Sequence, residues 1–133
     1  MKVMCRKIIS HTTGEDLGKS DPWLTVGNEY IILAMDYLET EGFQIYIQSE
    51  NYNEPIFTHI IGFEFVSQKI PSSWITTVSN SYGRKVITML PASWNYDSFF
   101  EDIENEEPKA VELFNQEAKK IYEEEDSLPG WSY

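Results

Sequence analysis

The chain has 133 residues, of which 22 are acidic and 10 basic, giving a formal net charge of −12. That length makes one domain able to bury roughly two thirds of its unfolded surface, so it folds without needing a disulfide or a metal. The acidity disfavours direct contact with nucleic acid or anionic membrane, both of which call for a basic surface, and the lone Cys5 excludes an intramolecular disulfide and a cysteine-rich zinc site.

The N-terminal residues 2–10 contain Val3, Met4, Ile8 and Ile9 and predict a first strand. They carry early charges and no long apolar run, so they do not read as a secretory signal. No stretch approaches the roughly 20 apolar residues needed to span a bilayer. A cytoplasmic protein is the expectation. Residues 11–22, rich in Thr, Gly, Asp and Ser, read as a loop. Gly14 and Gly18 precede Lys19, but not at the spacing of a phosphate-binding loop.

Residues 23–30 (Trp-Leu-Thr-Val-Gly-Asn-Glu-Tyr) form a short extended piece, and the apolar run 30–38 predicts one strand. After a turn at 39–42, residues 43–49 alternate, with Phe43, Ile45 and Ile47 on one face and Gln44, Tyr46 and Gln48 on the other. Residues 50–55 are a polar loop. Residues 56–66 give one bent strand or two short ones, with Gly62 as the bulge or bend.

The best-marked element is a hairpin. Two β-branched runs, 75–80 and 85–90, flank a Ser-Tyr-Gly-Arg corner, and a Pro-x-Ser-Trp tetrapeptide stands at each end. Pro71 and Pro91 lack an amide donor and suit strand entrances and exits. Trp74 and Trp94 are read first as core pins closing the sheet, and second as walls of a ligand pocket.

The pattern changes after Trp94. Residues 97–126 hold 12 acidic residues and three lysines, so most of the net charge lies here. Phe99 and Phe100 are expected to anchor this segment to the sheet. Pro108 suits the first turn of a helix, and Val111, Phe114, Ala118, Ile121 and Tyr122 form an apolar stripe at helical spacing. Glu123 to Asp126 oppose the helix dipole, which predicts fraying. Residues 127–133 form a tail, free or docked through Trp131 and Tyr133, outside a single domain spanning 1–126.

The whole reads as an α+β domain: a twisted or partly closed antiparallel sheet, of the kind found in a small SH3-like barrel, followed by a C-terminal amphipathic helix. No nucleophile elbow, oxyanion glycine cluster, calcium loop or metal spacing is present, so no catalytic residue, metal or cofactor is expected. His59 reads as a structural strand histidine and His11 as an exposed loop residue. Clustered acids read either as a solvated face or as a docking surface for a basic protein.

These segments (23–30, the two tetrapeptides 71–74 and 91–94, the acidic Phe99-Phe100-Glu101-Asp102 stretch and the helix with Ala110 and Phe114) resemble small bacterial immunity proteins of polymorphic toxin systems, including contact-dependent growth inhibition, over roughly residues 20–125. The resemblance implies a non-enzymatic inhibitor that binds a cognate toxin and blocks its active site or substrate groove. Such toxins are often basic nucleases, and an acidic inhibitor competes with their polyanionic substrate. No contact residue transfers from the resemblance. On charge alone, the toxin-binding candidates are Asp97, Glu101, Asp102, Glu104, Glu106 and Glu107. The alternative is a small-ligand or peptide-binding module using Trp74, Trp94 and neighbouring tyrosines; an enzyme using the acids or His59 is a third reading.

Overall fold

A computed structural model describes residues 1–10, 12–18, 23–50, 54–81 and 83–125. Its strands are β1 (Lys2–Cys5), β2 (Glu29–Ile31), β3 (Ala34–Leu38), β4 (Gly42–Gln48), β5 (Pro55–His59), β6 (Phe63–Ser67), β7 (Trp74–Ser81) and β8 (Arg84–Pro91). A 3-10 turn (Ala92–Trp94) leads to a short helix α1 (Phe99–Glu104) and a long helix α2 (Pro108–Glu124). The strands form two antiparallel sheets, a three-stranded one in the order β2-β1-β6 and a five-stranded one in the order β5-β4-β3-β8-β7.

The sheets are open, which corrects the expectation of closure toward an SH3-like barrel. The cause lies at two breaks. The run 30–38 is not one strand: β2 ends at Ile31, β3 begins at Ala34, and the chain changes sheet between them. The second break is the bend expected at Gly62, which separates β5 from β6. Gly62 takes φ +85°, and a Cβ there would stand 2.2 Å from the Lys7 carbonyl oxygen. Its own carbonyl accepts the amides of Arg6 and Lys7, at 2.9 and 3.1 Å. That contact also ends the first strand at Cys5, earlier than the sequence pattern suggested.

The expected hairpin is present. β7 and β8 pair continuously from Trp74–Pro91 to Ser81–Arg84, leaving the two-residue connection 82–83. The strand alternation then sets the layers. Ile45 and Ile47 of β4 face the three-stranded sheet, in a cluster with Val3, Cys5, Tyr30 and Met35. Tyr46 faces the other way, in a cluster with Leu90, Trp94, Phe99, Phe114 and Ile121. The five-stranded sheet is therefore the middle layer, with the small sheet on one side and the helices on the other.

α2 buries four of the five residues of the apolar stripe read from the sequence, Phe114, Ala118, Ile121 and Tyr122; Ala110 is buried where Val111 was expected, and Val111 is only half-buried. Pro108 occupies its first turn, where a missing amide is harmless. Of the segment 123–126 where fraying was expected, Glu123 and Glu124 are helical and Glu125 forms the C-cap turn, and two of these carboxylates meet donors. Glu124 accepts from the Ser72 amide at 3.1 Å and from its hydroxyl at 2.8 Å. Glu125 accepts from the Met1 ammonium at 2.6 Å and from Ser67 at 3.1 Å. Burial opposes ionisation of Glu125, yet these donors prevail and hold its carboxyl below the ordinary range. Asp126, the expected tail 127–133 and His11 lie outside the described residues.

Candidate functional site

Trp94 is fully buried. Its ring stacks between Phe99 (5.0 Å, 13°) and Phe114 (5.3 Å, 12°), and its indole N–H donates to the Leu113 carbonyl at 3.1 Å. Trp74 packs against both core clusters and donates to the Leu33 carbonyl at 3.0 Å. Both indoles thus join the layers, Trp94 wholly buried and Trp74 partly. Neither lines the hollows described below. Phe99 and Phe100 anchor α1 as expected: Phe99 is buried in the stack, and Phe100 packs against Tyr46 and Phe57.

The concave surface lies elsewhere, beside β5. Tyr46, Phe57 and Phe100 form a mutual aromatic triad with ring separations of 4.5 to 5.0 Å. They line a hollow of about 430 Å³ together with Trp23 and Ile103, and Glu54 and Glu104 supply its carboxylates. A second hollow, of about 340 Å³, shares Trp23, Ile56 and Phe57 with the first and extends past Leu24 and Phe63 to His59. The first hollow, an aromatic trough, lies on the helix side of the sheet and the second on the small-sheet side, and Trp23, 41% exposed, borders both.

A polar knot sets Trp23 in place. The Glu50 carboxylate, two residues past the end of β4, accepts from Thr25, from Asn28 at 3.3 Å and from the Tyr30 hydroxyl at 2.9 Å. That hydroxyl in turn accepts the Thr25 amide at 2.9 Å. Burial, with Glu50 beside it, pushes the Tyr30 phenol well above its ordinary range despite the opposing Thr25 amide, so it stays a neutral donor. The Ser49 hydroxyl donates to the Trp23 carbonyl. Residues 23–30 are therefore laced to β4, and Trp23 is carried over β5.

The six acidic candidates occupy one corner but not one surface. Asp97 is exposed in the turn before α1. Glu101 and Asp102 stand in the first turn of α1, the end of a helix that favours negative charge. Asp102 is half-buried and accepts from Ser98 at 3.1 Å, which ties down the helix start. With Glu107, Tyr96 and Lys109 it lines a separate hollow of about 410 Å³. Desolvation, and then the charge of Asp102, raise the Tyr96 phenol. Glu104 projects instead into the aromatic trough. Glu101, Glu104, Glu106 and Glu107 are all exposed. Glu106 holds φ +53°, the one positive φ among described non-glycine residues, which stores backbone strain at the α1–α2 turn.

His59 matches its structural reading. Its Nδ1 accepts the Ile61 amide at 3.2 Å, and its Nε2 contacts the Glu41 carbonyl, which fixes the Nε2–H tautomer. Among the described residues no group of three or more His, Cys, Asp or Glu is placed to hold a metal ion. Among the described residues no helix is long and apolar enough to cross a membrane.

Sequence reasoning missed the trough. Trp23, Tyr46, Glu54 and Phe57 come from three separate segments, and only the pairing of β4 with β5 (Tyr46 opposite Phe57) assembles them. The available signal was Phe57, whose alternation partner positions place it on the Tyr46 face. Compared with known proteins, the chain matches no protein-family model, no curated protein and no solved structure.

Proposed function

We propose that the protein is a cytoplasmic immunity protein, a non-enzymatic inhibitor that binds a basic toxin, a nuclease by preference, and blocks its active site or substrate groove. One observation carries the reading: Glu104 belongs both to the acidic corner and to the aromatic trough, so charge and apolar surface are continuous. An interface needs both. Acidic residues steer a basic partner and raise association from roughly 10⁵–10⁶ toward 10⁸–10⁹ M⁻¹s⁻¹ at low salt. Desolvated aromatic anchors slow dissociation and concentrate the binding energy. Trp23 and Phe57 are exposed aromatics of the type that fills such hot spots. The resemblance to immunity proteins supplies the class of partner, and charge supplies its sign.

The test begins with a tagged pull-down from the source cells, washed at low and at high salt, with the retained proteins identified by mass. One basic, nuclease-like protein at near-equal stoichiometry is the expected result. Against that partner, joint replacement of Glu101, Glu104, Glu106 and Glu107 by glutamine slows association about 10- to 100-fold at low salt and far less at high salt. Association at the wild-type rate at low salt would rule out the acidic corner as the steering surface. Failure to retain any basic protein from cells that express a toxin would rule out the reading itself.

A further inference from the structure

The outer edge of the five-stranded sheet at β7 is unusual for a monomer. Natural edge strands are kept short, or carry lysine, proline or a bulge, because a bare edge pairs with other chains. β5, the opposite edge, follows that rule: it has five residues, opens on Pro55 and follows Glu54. β7 does not. It has eight residues, pairs with β8 without a register break, and contains neither a charge nor a proline. Residues 70–83 are wholly uncharged in a chain of net charge −12.

The bonding parity of β7 is fixed by its ends. The Ala92 amide donates to the Ser73 carbonyl at 3.2 Å, and the Trp74 amide turns back to Pro71 at 3.2 Å. Odd-numbered residues of β7 therefore bond to β8, and Thr76, Val78 and Asn80 direct their amides and carbonyls outward. Val78 is 71% exposed. It ends an apolar row that runs across the sheet through Ile87 and Tyr37 to Phe43. The rings of Tyr37 and Phe43 meet at 5.0 Å.

We infer that β7 is a self-association edge, pairing antiparallel with β7 of a second copy, with Val78 on the two-fold axis. In that register Val78 exchanges backbone bonds with its own image, and Thr76 exchanges them with Asn80. Each outward amide and carbonyl of the three residues is satisfied. The two Val78 side chains meet on one face and join the two apolar rows. An uncharged strand can face its own image without like-charge repulsion, whereas nothing on β7 attracts a basic partner. The pairing is isologous and consumes the β7 edge, and Pro55 blunts the other edge of the same sheet, so the five-stranded sheet is not extended beyond the dimer.

The test is sedimentation equilibrium of the full chain over a concentration series at low and high salt. A monomer–dimer equilibrium is expected, and it tightens with salt, because screening relieves repulsion between two acidic copies. Val78→Pro removes one outward donor per copy without touching the β7–β8 ladder, and weakens the dimer roughly 30-fold. Val78→Lys places two like charges on the axis, also weakens it, and serves if the proline variant folds poorly. Amide exchange at Thr76, Val78 and Asn80 slows with protein concentration. A chain that stays monomeric at high salt and high concentration overturns the inference, as does a dimer indifferent to both Val78 variants. The inference stands or falls apart from the toxin reading, whose complex weakens with salt.

Discussion

Replacing Asp36 by asparagine is expected to stabilise the protein at neutral pH. Asp36 lies in β3, opposite Gln44 and Thr88, and its Oδ1 is buried without a hydrogen-bond partner. The neighbouring Gln44 side-chain amide donates to Glu41, at 3.2 Å. Burial, and secondarily the charge of Glu41, raise the Asp36 carboxyl to about 6 from 3.8. The native state thus holds its proton more tightly than the unfolded chain does. Above pH 6 the fold carries an ionised, poorly solvated carboxylate, at a cost of about 1–2 kcal/mol once solvent screening of the half-buried group is allowed for. Below pH 3.8 both states are protonated and the cost vanishes. Asp36→Asn should therefore raise unfolding free energy by about 1–2 kcal/mol at pH 7.5, or a Tm rise of roughly 5 °C. The gain should shrink through the window between pH 6 and 4. Urea unfolding of both chains at pH 7.5, 5.5 and 4 measures it, and the difference between chains cancels the titration of the other acids. An asparagine variant less stable than wild type at pH 7.5, or a difference constant with pH, would refute the reasoning.

Trp23→Ala should cost about 1–3 kcal/mol of stability, since more than half of the residue is buried, while raising the dissociation rate from the proposed toxin by roughly 30-fold with little change in association; surface plasmon resonance separates the two rates. Trp94→Ala removes the middle ring of the Phe99–Phe114 stack and should cost about 3–5 kcal/mol in chemical denaturation. Gly62→Ala places a Cβ against the Lys7 backbone at a positive φ. It should cost at least about 2 kcal/mol and shift the near-ultraviolet spectrum, because relief requires moving the crossing between the sheets.

The local elements were legible where one residue pattern carried them. The β7–β8 hairpin followed from two β-branched runs about a glycine, and α2 from a proline start and a five-residue apolar stripe. The sheet changes were not legible in the same way. Ile32 and Leu33 are fully buried and apolar, like their neighbours, so hydrophobic pattern cannot show that they leave one sheet and enter another. Nor does pattern reveal that Glu124 and Glu125 meet Ser72 and Met1, contacts of long sequence separation that offset the unfavourable dipole at the helix end. The candidate site was half legible: charge located the acidic corner, but the trough exists only through pairing of β4 with β5 and the Glu50 knot.

Salt acts with opposite sign on the two surfaces, and this separates their roles. The acidic corner gains from a basic partner through a field that extends about 10 Å at 0.1 M salt and collapses to about 3 Å at 1 M. Its advantage lies in encounter, so neutralising it should slow capture while leaving the trough to hold what is captured. The β7 edge carries no charge, and its approach to a second copy is opposed only by the net charge of −12 on each chain. On the proposed reading, the chain at low salt and low concentration is a monomer available to a basic partner. As the acidic corner is neutralised by a bound basic partner, that opposition falls. A complex that contains the toxin should then dimerise through β7 more readily than the free chain, and sedimentation of the complex at low salt shows it as a two-to-two species. A strictly one-to-one complex under conditions where the free chain dimerises would mean that the toxin covers β7, and would move the binding surface from the trough to the hairpin edge.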